Sequence, residues 1–513
     1  MTSNSTRSLI VFALCLLPLG LSRLAAETAD TPTPSAPAMP VSLTPPVSPA
    51  PRINGPAVFG VRPGSPFLYN IPASGDRPMS FTADGLPKGL QLDHASGRIT
   101  GVLKQKGEIP ITLHAKNRLG VADKKFRIVV GDRIALTPPM GWSSWNCFGD
   151  HIDQQKILGV AQAMVSSKLS QHGFTYINID DGWQGKRTGP GHALQGNEKF
   201  PDMAGLVKSI HDLGLKVGTY STPWETSYAK YPGGSAETET GEWQKIGEKM
   251  GKVSFAEADA RQWAAWGIDY MKYDWALDVP HTETMSKALR ASGRDIVYSL
   301  SNNGRIEDAA DYARLSECWR TSGDIVDDWN GNVSNIGFNQ DRWTSFGGPG
   351  HWNDPDMLVI GQVGWGPKTH PTRLTPDQQY SHISLWCLLS APLIMGGDLT
   401  QLDAFTLGLL TNDEVLAVNQ DELGRQGERV GSDNKVDFYL KPLADGSFAL
   451  GIFNRNENPV STGLTKIKSL MTGDKFKARD LWRQQTIADF NPEKISFALP
   501  PHGVVLLRLL KTP

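Results

Sequence analysis

The sequence predicts a three-part protein, with a central (β/α)8 TIM barrel between an N-terminal Ig-like β-sandwich and a C-terminal antiparallel β-sandwich. In residues 133–425, short apolar segments alternate with helix-like stretches, a pattern typical of βα units and a parallel sheet. On both sides of this region, alternating polar and apolar runs between turn residues indicate β domains, the C-terminal one antiparallel. A doubly wound sheet is the alternative to the barrel, but no G-x-G-x-x-G sequence follows the first strand.

The central region contains eight candidate strands, the number that a TIM barrel requires. In chain order they are MGWSSWN, YINIDDGW, LKVGTYS, IDYMKYDWA, DIVYSLS, SECWRTS, GHWNDPD and APLIMGG. The stretches between them that read as helices include LVKSIHDLG, FAEADARQWAAWG and HTETMSKALRASG.

Residues 1–26 have the layout of a secretory signal peptide. Arg7 precedes an apolar run, and the small residues Ala25 and Ala26 follow it as a cleavage site. The run is too short for a transmembrane helix, so no integral membrane segment is expected once the signal is removed. Cys15 raises a lipoprotein interpretation, but FALC lacks the small residue that normally precedes a lipidated cysteine. We therefore expect a secreted or periplasmic bacterial protein.

The regions flanking the barrel differ in composition. Residues 27–51 are dense in Pro, Ser, Thr and Ala, which predicts a polyproline-like linker rather than a packed domain. Residues 52–132 contain short runs such as ITLHA and KFRIVV between turn signals, which indicates a small Ig-like β-sandwich. It has no catalytic constellation, so a spacer role is favoured over sugar binding. In residues 426–513, alternating runs such as KVDFYLKPL and SFALGIFNR predict the C-terminal antiparallel β domain.

Charge and cysteine content exclude some classes of function. Lys and Arg total 51 against 53 Asp and Glu, a balance that gives no electrostatic case for binding nucleic acid. The 15 Trp residues suit sugar binding, because ring faces pack on the apolar faces of sugars. Cys147, Cys318 and Cys387 remain after the signal, cannot all pair within one chain and lack zinc-ligand spacing. We expect them to be reduced and buried.

The C-terminal ends of the predicted barrel strands are unusually polar and aromatic. Functional groups of TIM barrels cluster at these ends. A lone aspartate at such a position is more often a helix cap than a catalyst. Polar and aromatic residues at so many strand ends, however, favour an active site. The residues in question are Trp142, Trp145, Asp180, Asp181, Trp183, Tyr220, Lys272, Asp274, Arg320, Asp324, Asn353, Asp354 and Asp356.

Residues of these types could serve three kinds of hydrolytic chemistry. Carboxylates alone could hold Mg²⁺ or Ca²⁺, but a catalytic zinc would need histidines, and His351 is the only obvious one at a strand end. A Ser-His-Asp triad lacks its G-x-S-x-G elbow. Paired carboxylates between aromatic walls fit glycoside cleavage best. The sequence therefore predicts a carbohydrate substrate, no metal and no cofactor.

Asp274 and Asp324 are the candidate catalytic pair. They follow the fourth and sixth strands, near neighbours on the barrel, so their carboxylates could face each other about 5–5.5 Å apart, as a retaining glycosidase requires. Lys272 projects to the same side of its strand as Asp274 and would keep that carboxylate ionised. Asp324 would need a raised pKa, so that it starts protonated.

The barrel resembles a known family through seven motifs in order between Leu136 and about Gln420. They are LTPPMGWSSWNCFG, GFTYINIDDGWQG, LGLKVGTYS, GIDYMKYDWA, ECWRTSGDI, GPGHWNDPDMLVIG and SLWCLLSAPLIMGGDL. The family is glycoside hydrolase family 27, the α-galactosidase or melibiase family, whose members also carry a β-sandwich after the barrel. The stretch GLPKGLQLDHASGRITG resembles an Ig-like repeat of bacterial secreted proteins, and the segment before it resembles that repeat's companion module.

This resemblance implies roles for individual residues. Asp274 would be the nucleophile and Asp324 the general acid/base. Asp180 and Asp181 would accept hydrogen bonds from sugar hydroxyls, and Lys272 would bind a hydroxyl. Arg320 would grip the 2-position side of the sugar. Trp145, Tyr220, Asp356 and Met357 would line the pocket of the terminal sugar.

Two departures from the family pattern bear on specificity. Family members often carry a disulfide between the loops after strands three and four, but here Ala276 and a cysteine-free stretch occupy those places. Ser301 and Asn302 stand where α-galactosidases often have Cys-Glu, the glutamate of which touches the sugar 2-OH. The resemblance implies a retaining α-galactosidase. An α-N-acetylgalactosaminidase or a β-L-arabinopyranosidase remains the alternative, and a non-catalytic carbohydrate-binding protein is a third.

Overall fold

The computed structural model describes residues 40–245, 247–465, 467 and 475–512. The predicted signal peptide and Cys15 lie outside these residues. Eight parallel strands form the predicted TIM barrel, which is confirmed. They are β1 (Met140–Ser143), β2 (Tyr176–Asn178), β3 (Lys216–Ser221), β4 (Tyr270–Asp274), β5 (Val297–Ser301), β6 (Cys318–Arg320), β7 (Trp352–Asp354) and β8 (Leu393–Met395).

The order of these strands around the sheet is β7-β6-β5-β4-β3-β2-β1-β8. A parallel bridge between Leu358, just beyond β7, and Met395 of β8 brings the two ends of the sheet together. The register places Tyr220 of β3 beside Lys272 of β4, and Asp274 beside Ser301 of β5. Polar residues that are distant in sequence therefore meet at one face of the barrel.

Helices cover the outside of the barrel and follow the predicted pattern. Helix Met203–Asp212 begins at its N-cap Asp202, whose side chain accepts a hydrogen bond from the Gly205 amide, and it buries Leu206 and Ile210. The α-helices are Trp145–Phe148, Gln154–Ser166, Met203–Asp212, Ala256–Trp266, Val279–Ala291, Ala309–Leu315, Ser334–Phe338, Pro376–Leu388, Ala404–Leu410 and Asp413–Asn419. None of the helices in the described ranges is long and apolar enough to span a membrane.

The N-terminal β-sandwich has a core of its own. Alternate residues of its long strands point inward and bury side chains such as Phe67, Phe81, Leu113 and Ile128. One sheet contains Val58–Val61, Gly120–Val130, Gly107–Asn117 and Ser80–Asp84, and another contains Pro66–Asn70, Arg98–Val102 and Leu90–Leu92. Arg52–Ile53 and Ala73–Ser74 form a small third sheet.

The C-terminal β-sandwich is antiparallel, as predicted. Its larger sheet runs in the order Glu428–Asp433, Val436–Pro442, Phe448–Asn454, Val504–Thr512, Lys475–Asp480 and Gln485–Ile487. Val460–Gly463 pairs with Ser496–Leu499 as a second sheet. Phe438, Ile452, Leu499 and Leu507 are buried in its core.

The described end of the predicted linker is packed against the barrel. The Leu43 amide donates a hydrogen bond to the Tyr380 hydroxyl at 2.7 Å, and Thr44 Oγ1 donates to the Gly408 carbonyl at 2.6 Å. Leu43 also packs against the core of the barrel. Burial of this apolar side chain and two hydrogen bonds offset the cost of ordering the segment, which its composition alone does not reveal.

The Ig-like domain contacts the barrel through buried ionic groups, and this gives a stability prediction. Arg62 Nη2 lies 2.7 Å from Glu317 Oε1, and these side chains are 16% and 5% exposed. Arg62→Ala should lower the free energy of unfolding by about 3 kcal/mol, because a buried carboxylate would lose its partner. Chemical denaturation would measure this, with Arg118→Ala as the control. The exposed Arg118–Asp76 pair should contribute about 0–1 kcal/mol, and equal losses would contradict the assignment.

Candidate active site

A cavity of about 350 Å³ opens at the C-terminal ends of the barrel strands. This volume is within the range of about 300–1,000 Å³ that is usual for small-molecule sites. Carboxylates and aromatic rings dominate its walls. Of the residues singled out in the sequence, Trp145, Asp180, Asp181, Tyr220, Lys272, Asp274, Asn302 and Asp324 line it.

Three further predicted residues lie deeper. Arg320, Asp356 and Met357 line a second cavity of only about 30 Å³ inside the barrel, which shares Asp180 and Lys272 with the larger one. Met357 is 7% exposed and Asp356 only 3%. None of the three lines the large cavity.

Asp180 and Lys272 form the charged floor of the large cavity. Lys272 Nζ is 2.9 Å from Asp180 Oδ2, and Ser143 Oγ donates to the same oxygen at 3.2 Å. The lysine also lies 5.3 Å from the centre of the Tyr220 ring. Burial alone would lower the pKa of Lys272, but the carboxylates of Asp180, Asp274 and Asp324 outweigh it and raise that pKa. The lysine is therefore a permanent cation.

The electrostatics of Asp274 differ from the expectation that Lys272 would hold it ionised. Burial raises the pKa of Asp274 to about 6, and the Lys272 ammonium opposes this only in part. The physical reason is geometric, since the ammonium makes its close contact with Asp180, and Asp180 itself adds a second negative charge near Asp274. Asp324 is the more accessible carboxylate, with 62% of its side chain exposed.

The carboxylate of Asp181 accepts hydrogen bonds mainly from groups of the protein itself. Its Oδ1 accepts hydrogen bonds from Gln184 Nε2 at 2.7 Å and Ser227 Oγ at 2.8 Å. Its Oδ2 accepts one from the Ala229 amide at 2.6 Å. Burial raises the pKa of Asp181 to about 6, while these three bonds favour the ionised form. Asp181 thus anchors residues 227–229, a role that was not visible in the sequence.

Arg320 links the Asp324 loop to the interior of the barrel. Its Nη2 lies 2.6 Å from Asp356 Oδ2 and 3.2 Å from Asp324 Oδ1, and it donates to the Gly323 carbonyl. Asp356 adopts a positive φ of 85° and accepts a second bond from the Ile325 amide at 2.7 Å. Such a conformation in a non-glycine residue is held by its surroundings, here by these bonds. Together they fix the position of the Asp324 backbone.

Backbone hydrogen bonds join the loops after β4, β5 and β6. The Trp275 amide donates to the Ser301 carbonyl, and the Asn302 amide donates back to the Trp275 carbonyl. The Gly304 amide then donates to the Arg320 carbonyl at 2.8 Å. Trp275 is buried and packs edge-on against Tyr273 at 4.8 Å. These contacts hold the β4 loop where Ala276 replaces a cysteine of the family pattern.

Several cavity residues were missed in the sequence. Tyr228, Glu248, Asn303, Arg305 and Trp224 line the cavity. They come from loops rather than strand ends, and the cysteine-free stretch that contains Tyr228 was the one available signal. Cys147, Cys318 and Cys387 are free and buried, as expected. In the described ranges, no three His, Cys, Asp or Glu side chains are grouped to hold a metal ion.

Comparison with protein-family models gives a match for each of the three regions. The model described as Alpha galactosidase A matches residues 137–421. The model described as Alpha galactosidase C-terminal beta sandwich domain matches residues 433–509, and an Ig-domain model matches residues 50–131.

Individual proteins agree with these matches. The chain is 36% identical to Alpha-galactosidase 2 of Arabidopsis thaliana over 75% of this chain and 92% of that protein. A candidate alpha-galactosidase of Bacteroides fragilis has a crystal structure with a TM-score of 0.81 and 36% identity, covering 91% of this chain and 99% of that one. A β-L-arabinopyranosidase of Geobacillus stearothermophilus scores 0.62 at 28% identity, covering 74% and 96%. The chain therefore belongs to the α-galactosidase (melibiase) family of glycoside hydrolases, family 27, as its ordered barrel motifs had indicated.

Proposed function

We propose that this protein is a retaining exo-glycosidase that releases terminal non-reducing α-D-galactosyl residues by double displacement. The observation that carries the proposal is that Asp274, at the end of β4, and Asp324, on the loop after β6, line one cavity in a chain of the α-galactosidase family. Retaining glycosidases use such a pair, one carboxylate as nucleophile and one as acid and then base.

In the first step, a carboxylate oxygen of Asp274 attacks the anomeric carbon while the Asp324 carboxyl donates its proton to the glycosidic oxygen. The C–O bond to the leaving group breaks, and a galactosyl ester on Asp274 remains. In the second step, Asp324 takes a proton from water, which displaces Asp274 at the same carbon. Two inversions restore the α configuration.

The surroundings of the two carboxylates suit these roles. Asp274 ends β4, so its backbone is fixed by the sheet, and the half-buried Lys272 two residues earlier supports its anionic form. Asp324 lies on a loop and is 62% exposed, so it can exchange protons with water between the two steps. Arg320 holds that loop in place through its bond to Asp324.

Recognition of the sugar would rest on the floor and walls of the cavity. The Asp180 carboxylate and the Lys272 ammonium can bind neighbouring hydroxyls by charge-assisted hydrogen bonds. Trp145 and Tyr220 would pack on the apolar face of the ring. We assign Arg320, Asp356 and Met357 a supporting position behind this pocket, because they line only the inner cavity.

The 2-position gives the alternative substrates one specific observation in their favour. Ser301 Oγ and Asn302 Oδ1 are buried and have no hydrogen-bond partner among the described residues, at the place where the family pattern has Cys-Glu. They could accommodate a different group at C2, so an α-N-acetylgalactosaminide is the second candidate. A β-L-arabinopyranoside, which differs from a galactoside in lacking C6, rests instead on the similarity to the β-L-arabinopyranosidase. A carbohydrate-binding protein without activity is disfavoured, because both catalytic carboxylates are present.

Hydrolysis of p-nitrophenyl α-D-galactopyranoside tests the proposal. The α-N-acetylgalactosaminide and the β-L-arabinopyranoside analogues run beside it. A higher kcat/KM on the galactoside is the expected result. Preference for the α-N-acetylgalactosaminide would indicate that Ser301 and Asn302 determine which terminal sugar is accepted. Inactivity on all three substrates would overturn the proposed activity.

The proposed cellular location of the enzyme rests on the N-terminal sequence. Residues 1–26 have the layout of a signal peptide, so we propose that the enzyme is exported and acts on galactosides outside the cytoplasm. N-terminal sequencing of the protein from the culture medium and the periplasm would detect cleavage near Ala26. An intact N-terminus retained in the cytoplasm would contradict export.

The pH dependence follows from Asp274. Because its pKa is raised to about 6 and the nucleophile must be ionised, kcat/KM should fall below about pH 6. The fall should approach about tenfold per pH unit. Lys272→Met removes a cation that lowers this pKa, so the acidic limb should move to higher pH, whatever the loss in rate. A limb that stays in place in this variant would point to another group, such as Asp181.

A further inference from the structure

The large cavity changes in character from its floor to its mouth. Asp180 and Asp181 at the floor are 2% and 1% exposed. Tyr228 at the mouth is 58% exposed, and the Asp324 side chain is 62% exposed. If the terminal sugar occupies the floor, the group that Asp324 protonates lies towards the mouth. The residues around the mouth therefore face the leaving group rather than the terminal sugar.

Tyr228 is the aromatic residue best placed at this mouth. It lines the cavity, and its ring lies 5.9 Å from that of Trp145 with an interplanar angle of 79°. The two rings form a corner, one wall of which belongs to the predicted sugar pocket. Among the described aromatic residues that line the cavity, Tyr228 is the one whose side chain is more than half exposed, so it offers a ring face to a ligand at the mouth. A sugar ring presents C–H faces that match such a surface.

The Tyr228 backbone is held more firmly than its exposed side chain suggests. Both of its neighbours are bonded to the buried Asp181, Ser227 through its hydroxyl and Ala229 through its amide. The Tyr231 amide donates to Ser227 Oγ at 3.0 Å, which closes a tight turn around Tyr228. Binding to a fixed ring costs less conformational entropy than binding to a mobile one.

We propose that Tyr228, positioned by Asp181, is the specificity-determining platform for the sugar unit that leaves. This rests on the proposed galactosidase activity. Glu248 and Arg305 border the same mouth and can bind hydroxyls of the leaving unit. The carboxylate of Asp181 acts through the 227–229 turn and is a positioning residue.

The test compares two substrates of the full-length enzyme that share the galactosyl unit. An α-1,6-linked galactosyl-glucose has a leaving sugar, whereas α-galactosyl fluoride releases only fluoride. For Tyr228→Ala, kcat/KM on the disaccharide should fall by about tenfold, as expected for loss of one aromatic contact. On the fluoride it should stay within about twofold of the parent enzyme. Tyr228→Phe keeps the ring and should retain most of the disaccharide activity.

Leu423→Ala is the control, since Leu423 is an exposed apolar residue (40%) that does not line the cavity. It should leave the ratio of the two substrates unchanged. If Tyr228→Ala lowered kcat/KM equally on both substrates, or on neither, the proposed role of Tyr228 would be overturned. An unchanged melting temperature separates the effect from misfolding. If the parent enzyme hydrolyses neither substrate, the galactosidase proposal itself fails and this inference fails with it.

Discussion

Replacing Asp274 with asparagine is expected to reduce kcat/KM on every galactoside by about 10⁴-fold or more, since the variant has no carboxylate to form the covalent intermediate. The loss should not depend on the leaving group, because both fluoride and sugar departures need the nucleophile. The side chain is isosteric, so the fold should be kept. Steady-state kinetics on purified protein would measure the effect.

Asp278→Asn is the control for this variant. Asp278 lies in the same segment and caps helix Val279–Ala291, and asparagine caps a helix about as well as aspartate. It should retain nearly full activity. A stricter version uses Asp274→Gly with added azide. Azide entering the space of the lost carboxylate should give β-galactosyl azide, whereas an α product or no rescue would speak against a nucleophile at this position.

Replacing Asp324 with asparagine should have an effect that depends on the substrate. The loss of a general acid should lower kcat/KM on galactosides of alcohols and sugars by about 10²–10⁴-fold. Fluoride leaves without protonation, so kcat/KM on α-galactosyl fluoride should fall far less. The general base is lost too, so the second step should become rate-limiting.

The control for Asp324 is Asp328→Asn, an exposed aspartate of the following turn that does not line the cavity. It should behave like the parent enzyme on both substrates. If Asp324→Asn lost the same factor on the fluoride as on the disaccharide, its role would be structural or electrostatic, and another proton donor would have to be sought.

The barrel could be predicted from sequence because its signals are local and repeated. Each buried strand is short and apolar, and each ends in residues that a helix or strand interior would not tolerate, as in the run from Tyr270 to Asp274. Parallel strands carry these ends to one face, so the grouping of Asp180, Lys272 and Asp274 followed from topology. The two β-sandwich domains could be predicted from the alternation of polar and apolar residues with a period of two.

The remaining features depend on contacts that no local pattern encodes. Whether Met357 faces the cavity or the space behind it is decided by the turn after β7 and the positive φ of Asp356. Lys272 makes its close contact with Asp180 rather than with Asp274, and this depends on small differences in distance that a sequence pattern does not encode. Tyr228 stands on a loop whose position is set by Asp181, 47 residues earlier in the sequence, so its place could not be predicted.

The most direct test of the double displacement is mass spectrometry of the Asp324→Asn enzyme after brief reaction with α-galactosyl fluoride. Because the ester should form quickly and hydrolyse slowly, a peptide containing Asp274 should carry one hexosyl adduct. Fragmentation of this peptide should place the adduct on Asp274. The adduct should disappear as the substrate is exhausted. An adduct on another residue, or turnover of the fluoride with no adduct under conditions where hydrolysis is slow, would contradict the assignment of Asp274 as the nucleophile.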